Sequence, residues 1–462
     1  MTKALIWFRY DLRLHDNLAL LAASNFDEVI PIFIYEPNVS EASASDWWLH
    51  HSLKELAIAI EKHGGSLIIR QGDPQIILDE LIQAQQIDAL FFNRSMLPND
   101  TLIEQSLIEK YSSKTIYVKC FDDRLLFYHH KLVTRKHTPY KVFSSYWKIA
   151  KLQYITFPQN KINHYSTTTI PSMAIDDLNL LQGHQWMKKF EDYWHPGEQQ
   201  AIQKFEDFVE QNLSSYDALR DFPGKYSTSD MSPYLAWGNI SVRSMWYRVK
   251  RFANEYPEHA SAAESYLRQL AWRDFAYEQL AHFPALTHEP VRTAFNNYPW
   301  DFNEDLFLAW KKGQTGYPLV DAGMRELYET GFMHNRVRMV AASFLVKHLR
   351  IPWQYGYEWF KETLVDFDMA NNAMGWQWVT GSGIDAAPYF RVFNPTGQAE
   401  KFDRGAQYIK RWVPELREVP LDVIHSPAKY VAAHQLSYPQ PIVDHATARQ
   451  LALDGFEQIK KH

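Results

Sequence analysis

The stretch ALIWFRYDLRLHDN, residues 4–17, places five apolar residues directly before the charged residues Arg9, Asp11 and Arg13. A signal peptide carries its positive charge ahead of the apolar run, so this order is typical of a buried first strand. Similar β-rich runs follow at residues 29–35, 66–72, 89–93 and 115–120, and helical stretches such as 47–64 and 74–86 separate them. This alternation predicts an α/β, Rossmann-like domain with a parallel sheet over residues 1–130. Ligands of such sheets bind beyond the carboxyl ends of the strands.

The rest of the chain divides into two further parts. Residues 131–199 carry scattered Pro, Thr, Asn and His, with helical periodicity only at 141–152, and this is typical of a long connecting segment. Helical patterns fill residues 200–462, where Gly331 has the position of a helix C-cap. We therefore predict an interdomain linker followed by an all-α C-terminal domain. The chain contains neither GxGxxG nor GxxxxGK[ST], so the two common phosphate-loop fingerprints are missing.

Composition excludes several classes of protein. The net charge is 48 − 54 = −6, which argues against a general polyanion binder but allows a local basic face. Between Arg336 and Trp412 there are ten Lys or Arg against seven Asp or Glu. A single cysteine, Cys120, excludes a disulfide within the chain and is compatible with the cytoplasm. No run of 18 apolar residues occurs, so the sequence predicts no membrane span.

Four short segments could line a site for a flat polar ligand. On a helix, Asn335, Arg338 and Met339 share one face of HNRVRM, and a capped helix start with a buried ion pair would explain the same residues. Gln269, Trp272 and Arg273 likewise share a face, which suits base stacking and phosphate contact, or an ordinary amphipathic helix.

The other two segments are STSDMSPYLAWG and DFDMANNAMGWQW (366–378). Thr228, Ser229 and Ser232 precede a helix begun by Pro233, where they could bind an anion or simply cap the helix. In the second segment Asn372 and Trp376 lie one turn apart, Asp366 and Asp368 sit in the loop or first turn before them, and Asp366 could pair with Arg338. A metal at Asp-x-Asp is disfavoured because hard cations need more oxygen ligands. Together the segments predict a helical bowl that fits a folded flavin dinucleotide.

The order of these motifs closely resembles the DNA photolyase and cryptochrome family, above all bacterial cyclobutane pyrimidine dimer photolyases. The motifs include WFRYDLRLHDN, RQLAWRDF, TGYPLVDAGMREL, HNRVRMVAASFLVKHL, DFDMANNAMGWQWVTGSGIDAAPYFRVFNP and KFDRGAQYIKRWVPEL, and they span nearly the whole chain. The resemblance implies FAD, a second antenna chromophore (methenyltetrahydrofolate or 8-hydroxy-5-deazaflavin), UV-damaged DNA as the partner, and a cytoplasmic monomer without an obligate protein partner.

The resemblance also assigns roles to residues. It places the cofactor among Tyr216, Thr228, Ser229, Met231, Ser232, Trp272, Asn335, Arg338, Asp366, Asp368 and Asn372. Asn372 would stabilise the reduced flavin ring, and the flipped-out dimer would lie between Trp272 and Trp378 with Met339 beside it. Phosphate contacts are implied for Arg220, Arg273, Arg336, Arg391 and Lys401, and electron transfer for Trp376, Trp353 and Trp300.

One position departs from the dimer-photolyase pattern. Gln269 stands where those enzymes usually carry Glu, and Gln is more usual in (6-4) photolyases. Asn335 favours the dimer group, because the (6-4) group has His there. A cryptochrome-type photoreceptor is the main rival interpretation, and a flavoprotein oxidoreductase is a third, although no fingerprint for a second dinucleotide supports it.

Overall fold

The computed structural model describes residues 1–37, 43–112, 116–134, 136–161, 164–166, 170–182, 185–385 and 390–460. Within these residues the N-terminal part contains a five-stranded sheet in the order β3-β2-β1-β4-β5. The strands are β1 (Lys3–Phe8), β2 (Glu28–Tyr35), β3 (Ile68–Gln71), β4 (Ala89–Asn93) and β5 (Tyr117–Phe121). Every pairing is parallel, which confirms the predicted α/β sheet.

The opening stretch forms the central strand because both of its faces are apolar. Ala4, Ile6 and Phe8 pack on one side of the sheet, and Leu5 and Trp7 pack on the other. A strand buried on both faces reads as a continuous apolar run, as ALIWF does.

Helices cover the sheet and, with short loops, form the described residues from 198 onward, which confirms the predicted all-α C-terminal part. The α-helices are α1 (Leu18–Ala23), α2 (Ala44–Glu61), α3 (Pro74–Gln85), α4 (Pro98–Tyr111), α5 (Phe143–Ala150), α6 (Glu198–Gln211), α7 (Tyr216–Leu219), α8 (Ser232–Ala236), α9 (Val242–Glu255), α10 (Ala260–His282), α11 (Glu304–Lys311), α12 (Pro318–Thr330), α13 (Asn335–Ser343), α14 (Trp353–Thr363), α15 (Met369–Thr380), α16 (Pro395–Phe402), α17 (Gln407–Trp412), α18 (Ala428–His434) and α19 (His445–Lys460).

Shorter helical turns join these elements. Turns of 3-10 helix span Ile175–Leu178, Gln185–Asp192, Leu213–Ser215, Pro257–His259, Pro284–Thr287, Thr293–Asn297 and Pro414–Leu416, and a π-helical turn spans Phe344–His348. Gly331 ends α12 with a φ of 69°, which confirms the predicted C-cap. No helix in the described part of the chain is both long and apolar enough to cross a membrane.

Buried charges behind β1 attach the sheet to the helical part. Arg243 on α9 bonds to Asp16 Oδ1 and Asp123 Oδ1, each at 2.8 Å, and Asp123 also pairs with Arg13. The helical part approaches so closely at Gly238 that a Cβ atom there would lie 2.1 Å from the carbonyl oxygen of Tyr10. The carboxyl end of β1 therefore packs against the helical part at Gly238.

A groove does open beyond the carboxyl end of β4. Its volume is about 530 Å³, and it lies between α4, the residues after β4 and the end of α10. Its lining includes the basic residues Arg94, His129 and His130 and the apolar residues Met96 and Leu280.

The linker is more tightly packed than its sequence suggested. His164 and Ser166 exchange backbone hydrogen bonds with Val29 at 2.8 and 2.9 Å, so the linker adds to the edge of β2. The linker helix α5 is pinned to α10, because Phe143 and Tyr146 are buried against Phe275. The boundaries 1–130, 131–199 and 200–462 stay predictions.

Candidate functional site

The predicted bowl forms where α8, α13 and the segment before α15 meet. Asp366 joins the three, because its Oδ2 accepts from Ser232 Oγ at 2.6 Å and from Arg338 Nη2 at 2.8 Å. Arg338 Nε donates to Met333 O at 2.6 Å, which fixes the guanidinium. The ion pair predicted from the sequence is therefore present.

Asp366 has one atom that the protein does not satisfy. The residue is 6% exposed, and its Oδ1 is buried without a hydrogen-bond partner among the described residues. A buried carboxylate oxygen without a partner costs free energy, so it is a natural acceptor for a ligand hydroxyl or N–H group. The donor set around the bowl thus fits a polar cofactor such as FAD.

Asp368 caps α15 instead of facing the bowl. Its Oδ1 accepts from the backbone and side-chain nitrogens of Asn371, each at 2.9 Å, and its Oδ2 accepts from Tyr277 and lies 3.6 Å from Arg124. Burial alone would raise the pKa of Asp368, but the Arg124 charge and these hydrogen bonds hold it below its usual value. The structure favours a role for this carboxylate in positioning α15 over the cofactor contact expected above.

Hydroxyl groups line the side of the bowl formed by α8 and the loop before it. Ser232, the first residue of α8, is exposed, while Ser229 Oγ accepts from Tyr266 and Thr228 donates to Asp230 Oδ1 at 2.9 Å. Met231 is 1% exposed and lies in the core, so a cofactor contact there would have to use its main chain. Tyr216 is also core, packed against Phe208 and Tyr266.

Helices α13 and α15 supply the amides. Asn335 is exposed on the first turn of α13, and its Nδ2 lies 3.9 Å from Met339 Sδ, so the predicted shared face is present. Asn372 Nδ2 donates to Tyr357 O at 3.2 Å, which turns its carbonyl oxygen away from α14. Lys347 holds the other end of α15 by donating to Thr380 O at 2.7 Å, and burial lowers the pKa of its amine.

Gly375 is a candidate site residue that the sequence analysis did not name. It lies three residues from both Asn372 and Trp378, so the three share one side of α15. Although it is in the middle of a helix, Gly375 is exposed, and an added Cβ would meet no atom within 4 Å. A glycine in the middle of a helix lowers the stability of that helix. A glycine at such a position was therefore the signal in the sequence that could have identified this residue.

The two tryptophans expected at the lesion are both half-buried, Trp272 on α10 and Trp378 on α15. The ring of Trp272 stacks on Phe143 of the linker, with centroids 3.7 Å apart and an interplanar angle of 9°. Gln269, one turn before Trp272, donates from Nε2 to Ser265 O at 3.2 Å. Its Oε1 is therefore the atom available to a ligand.

The three tryptophans expected to carry electrons differ in exposure. Trp376 is 2% and Trp353 is 1% exposed, whereas Trp300 is half-buried near the surface. Trp376 packs on α14 at Gly356, where a Cβ atom would lie 2.1 Å from its Cη2. Trp353 is the first residue of that helix, one turn before Gly356. Trp353 and Trp376 belong to one buried apolar cluster, and Trp300 packs against that cluster.

Three of the expected phosphate contacts lie close together. Arg336 is 4.3 Å and Lys401 is 5.0 Å from the ring of Phe402, and Arg336 pairs with Asp221 at 2.8 Å. Arg220 lies 3.9 Å from the same carboxylate. Arg391 is exposed in the segment before α16.

The expectation for Arg273 is not supported by the geometry. Its guanidinium is 11% exposed and donates to Arg124 O at 2.9 Å, to Asp274 Oδ1 at 3.2 Å and to Leu235 O at 3.4 Å. These bonds join α10 to the segment that follows β5 and to α8. A phosphate contact would break them, so we leave Arg273 out of the DNA contacts.

Comparison with known proteins matches both halves of the chain. Residues 4–163 match the family model for DNA photolyase, and residues 266–458 match the FAD binding domain of DNA photolyase. A deoxyribodipyrimidine photo-lyase from Agrobacterium fabrum is 41% identical over 99% of this chain and 98% of its own length. The crystal structure of a bacterial class III photolyase from Agrobacterium tumefaciens is 39% identical, with a TM-score of 0.95 over 100% of this chain and 98% of that one. Cryptochrome-2 from Arabidopsis thaliana is more distant, at 32% identity over 99% of this chain and 79% of its own length.

Proposed function

We propose that this chain, which belongs to the DNA photolyase and cryptochrome family, repairs cyclobutane pyrimidine dimers in DNA with light. The proposal rests on two half-buried tryptophans, Trp272 and Trp378, carried by helices that also support the bowl. The direct test is loss of dimers from a dimer-containing oligonucleotide, measured in light and in darkness. Loss in light alone supports the proposal, and no loss in light contradicts it.

When bound, reduced FAD supplies the light-excited electron that splits the two carbon–carbon bonds of the dimer and afterwards returns. The chain's own residues bind and orient the reactants. Asp366 offers its unpaired oxygen and Arg338 its charge, while Ser232 and Asn335 expose polar groups to the bowl. We assign Asn372 to the flavin ring, because its free carbonyl side faces away from α14.

The lesion would be flipped out of the duplex and held by stacking. Aromatic side chains hold unpaired bases well because every base has an apolar face. Met339 lies on the same face of α13 as Asn335, which borders the bowl, so it is placed to contact both cofactor and lesion.

The basic group around Phe402 is proposed to bind the DNA backbone. Binding of wild-type protein to damaged duplex should weaken steeply with salt, because each bound phosphate releases counterions. In Arg336→Ala the slope of log affinity against log salt should fall by about one unit, since one phosphate contact is lost. Affinity for undamaged duplex should fall in parallel. The measurement is a fluorescence-anisotropy titration at several salt concentrations.

Arg251→Ala is the matched control for Arg336→Ala. Like Arg336, Arg251 is paired with a carboxylate, Glu255 at 2.8 Å, but it is exposed and lies on α9 outside the basic group. The salt slope of Arg251→Ala should equal that of wild type. If the salt slope of Arg336→Ala equals that of wild type, Arg336 does not contact a DNA phosphate.

Gln269 is proposed to accept a hydrogen bond from a thymine imide through Oε1. Gln269→Glu should preserve repair, because a carboxylate of the same length still accepts that bond. Gln269→Leu should lower lesion affinity by about 1–3 kcal/mol, because a buried polar group of the lesion loses its partner. Light-dependent dimer loss at a fixed photon dose measures repair, and titration of a dimer oligonucleotide measures affinity. Equal affinity in Gln269→Leu and wild type would contradict this role.

The same assay separates the alternative functions. If the wild-type protein repairs only a (6-4) photoproduct, the subgroup assignment is wrong and Gln269 was the better guide. If it repairs neither lesion while light still reduces its flavin, the photoreceptor interpretation is correct.

A second chromophore is proposed for the groove beyond β4. Its apolar walls, which include Met96 and Leu280, suit a ring system, and His129 and His130 in its lining offer polar contacts to a chromophore. We also propose that the protein acts as a monomer without an obligate protein partner. Light scattering of the protein bound to damaged duplex tests that state, and a dimer would contradict it.

A further inference from the structure

One face of the Trp272 indole ring is already covered at the proposed lesion site. The ring of Phe143 lies parallel to the indole at 3.7 Å, which is full stacking contact. Phe143 itself is 2% exposed and begins the linker helix α5. A base can therefore stack only on the opposite face of Trp272.

Phe143 is itself held in place from several sides. It packs against Phe275 at 5.8 Å and Tyr146 at 6.2 Å. Its N–H group, at the amino end of α5, donates to Asp385 Oδ2 at 3.2 Å, and the N-cap residue Val142 supplies no side-chain bond there. A carboxylate distant in sequence thus replaces the local cap.

Asp385 connects the two walls of the proposed lesion site, which are Trp272 with its support Phe143 on one side and Trp378 on the other. It lies in the segment 381–385, which follows α15 directly, and α15 carries Trp378. One hydrogen bond therefore joins the support of Trp272 to the chain that leaves Trp378.

We propose that Phe143 and Asp385 are positioning residues that set the orientation and spacing of Trp272 and Trp378 before the lesion arrives, an inference that rests on the proposed function. Phe143 fixes the plane of Trp272, so the dimer meets a two-ring surface that needs no rearrangement. Asp385 fixes the distance between the walls. Order established before binding lowers the entropic cost of capture, so both residues act on lesion affinity and not on general DNA affinity.

The first test compares two buried phenylalanines that touch the same indole. Phe143→Leu removes the stacked ring, whereas Phe275→Leu removes a ring that meets Trp272 edge-on at 5.7 Å. We expect Phe143→Leu to weaken binding of a dimer oligonucleotide roughly three- to tenfold, in line with the strength of an aromatic pair. Binding of undamaged duplex and FAD content should stay at wild-type values. Phe275→Leu should lower the melting temperature similarly and leave dimer affinity within about twofold, because the stacked pair survives.

The second test uses Asp385, where little packing is lost. Asp385→Ala removes the acceptor and should weaken dimer binding about two- to fivefold, the size expected for one hydrogen bond. Asp385→Asn keeps an acceptor oxygen and should restore most of that affinity. Equal effects of Ala and Asn, or equal effects on damaged and undamaged duplex, would overturn the role of Asp385.

Trp272→Ala separates failure of this inference from failure of the function it rests on. If Trp272→Ala binds the dimer as wild type does, the proposed lesion site is wrong and the role of Phe143 falls with it. If Trp272→Ala binds weakly but Phe143→Leu matches Phe275→Leu, the lesion site stands and only the positioning role is overturned.

Discussion

In Trp376→Phe, reduction of oxidised flavin by light is expected to fall to background, while protein reduced chemically beforehand repairs dimers as wild type does. The cofactor site lies inside the helical part, so an electron from an external reductant must cross the buried apolar cluster that contains Trp353 and Trp376. Trp376 is 2% exposed and packs on α14, which begins at Trp353, and Trp300 lies nearer the surface. Phenylalanine fills most of the same space but is much harder to oxidise. The measurement is the loss of the absorbance band of oxidised flavin under blue light with an external reductant.

Trp310 supplies the matched control for this experiment. It is fully buried, its ring centroid lies 6.4 Å from that of Trp376, and its Nε1 donates to Ala341 O at 3.0 Å. Trp310→Phe should therefore cost comparable packing but leave photoreduction intact, because Trp310 is outside the proposed route. If Trp310→Phe also blocks photoreduction while Trp353→Phe does not, electrons pass through Trp310 and the assignment of Trp353 and Trp300 is wrong.

Local patterns predicted the parts of this molecule that depend on one element at a time. The continuous apolar run predicted β1 as a strand buried on both faces. The position of Gly331 predicted the end of α12, and helical spacing placed Asn335 beside Met339. The pair of Arg338 and Asp366 was also predictable, because few other charges of opposite sign lie in the two motifs. These features follow from periodicity and from the pairing of buried charge.

Contacts between distant segments could not be predicted in this way. Arg273 shares a helical face with Trp272 in the sequence, yet its guanidinium bonds to carbonyl groups of the segment that follows β5 and of α8. Phe143 lies 129 residues before Trp272, and no spacing rule connects them. The run around Phe143 did show helical periodicity inside an irregular linker, which was a sign of packing but not of its partner.

Gly375→Leu is expected to abolish FAD binding without unfolding the protein. Gly375 is exposed on the side of α15 shared by Asn372 and Trp378, and nothing lies within 4 Å of an added Cβ. In the protein without cofactor a leucine there meets no clash, and its better helix propensity should stabilise α15 by about 0.5–1 kcal/mol. With cofactor the same side chain would occupy space that we assign to the flavin. The measurements are the ratio of flavin to protein absorbance after purification and the melting temperature with and without added FAD.

The melting temperatures distinguish a loss of FAD binding from a loss of folding. A ligand that binds only the folded state raises the melting temperature, so wild-type protein freed of cofactor should gain stability when FAD is added. Gly375→Leu should show the higher melting temperature of the two without FAD and no gain with it. Gly375→Ala adds a single methyl group to the same position and should bind FAD more weakly than wild type but still measurably. If Gly375→Leu binds FAD normally, then this face of α15 looks onto solvent, and the bowl must be formed by α8 and α13 without it.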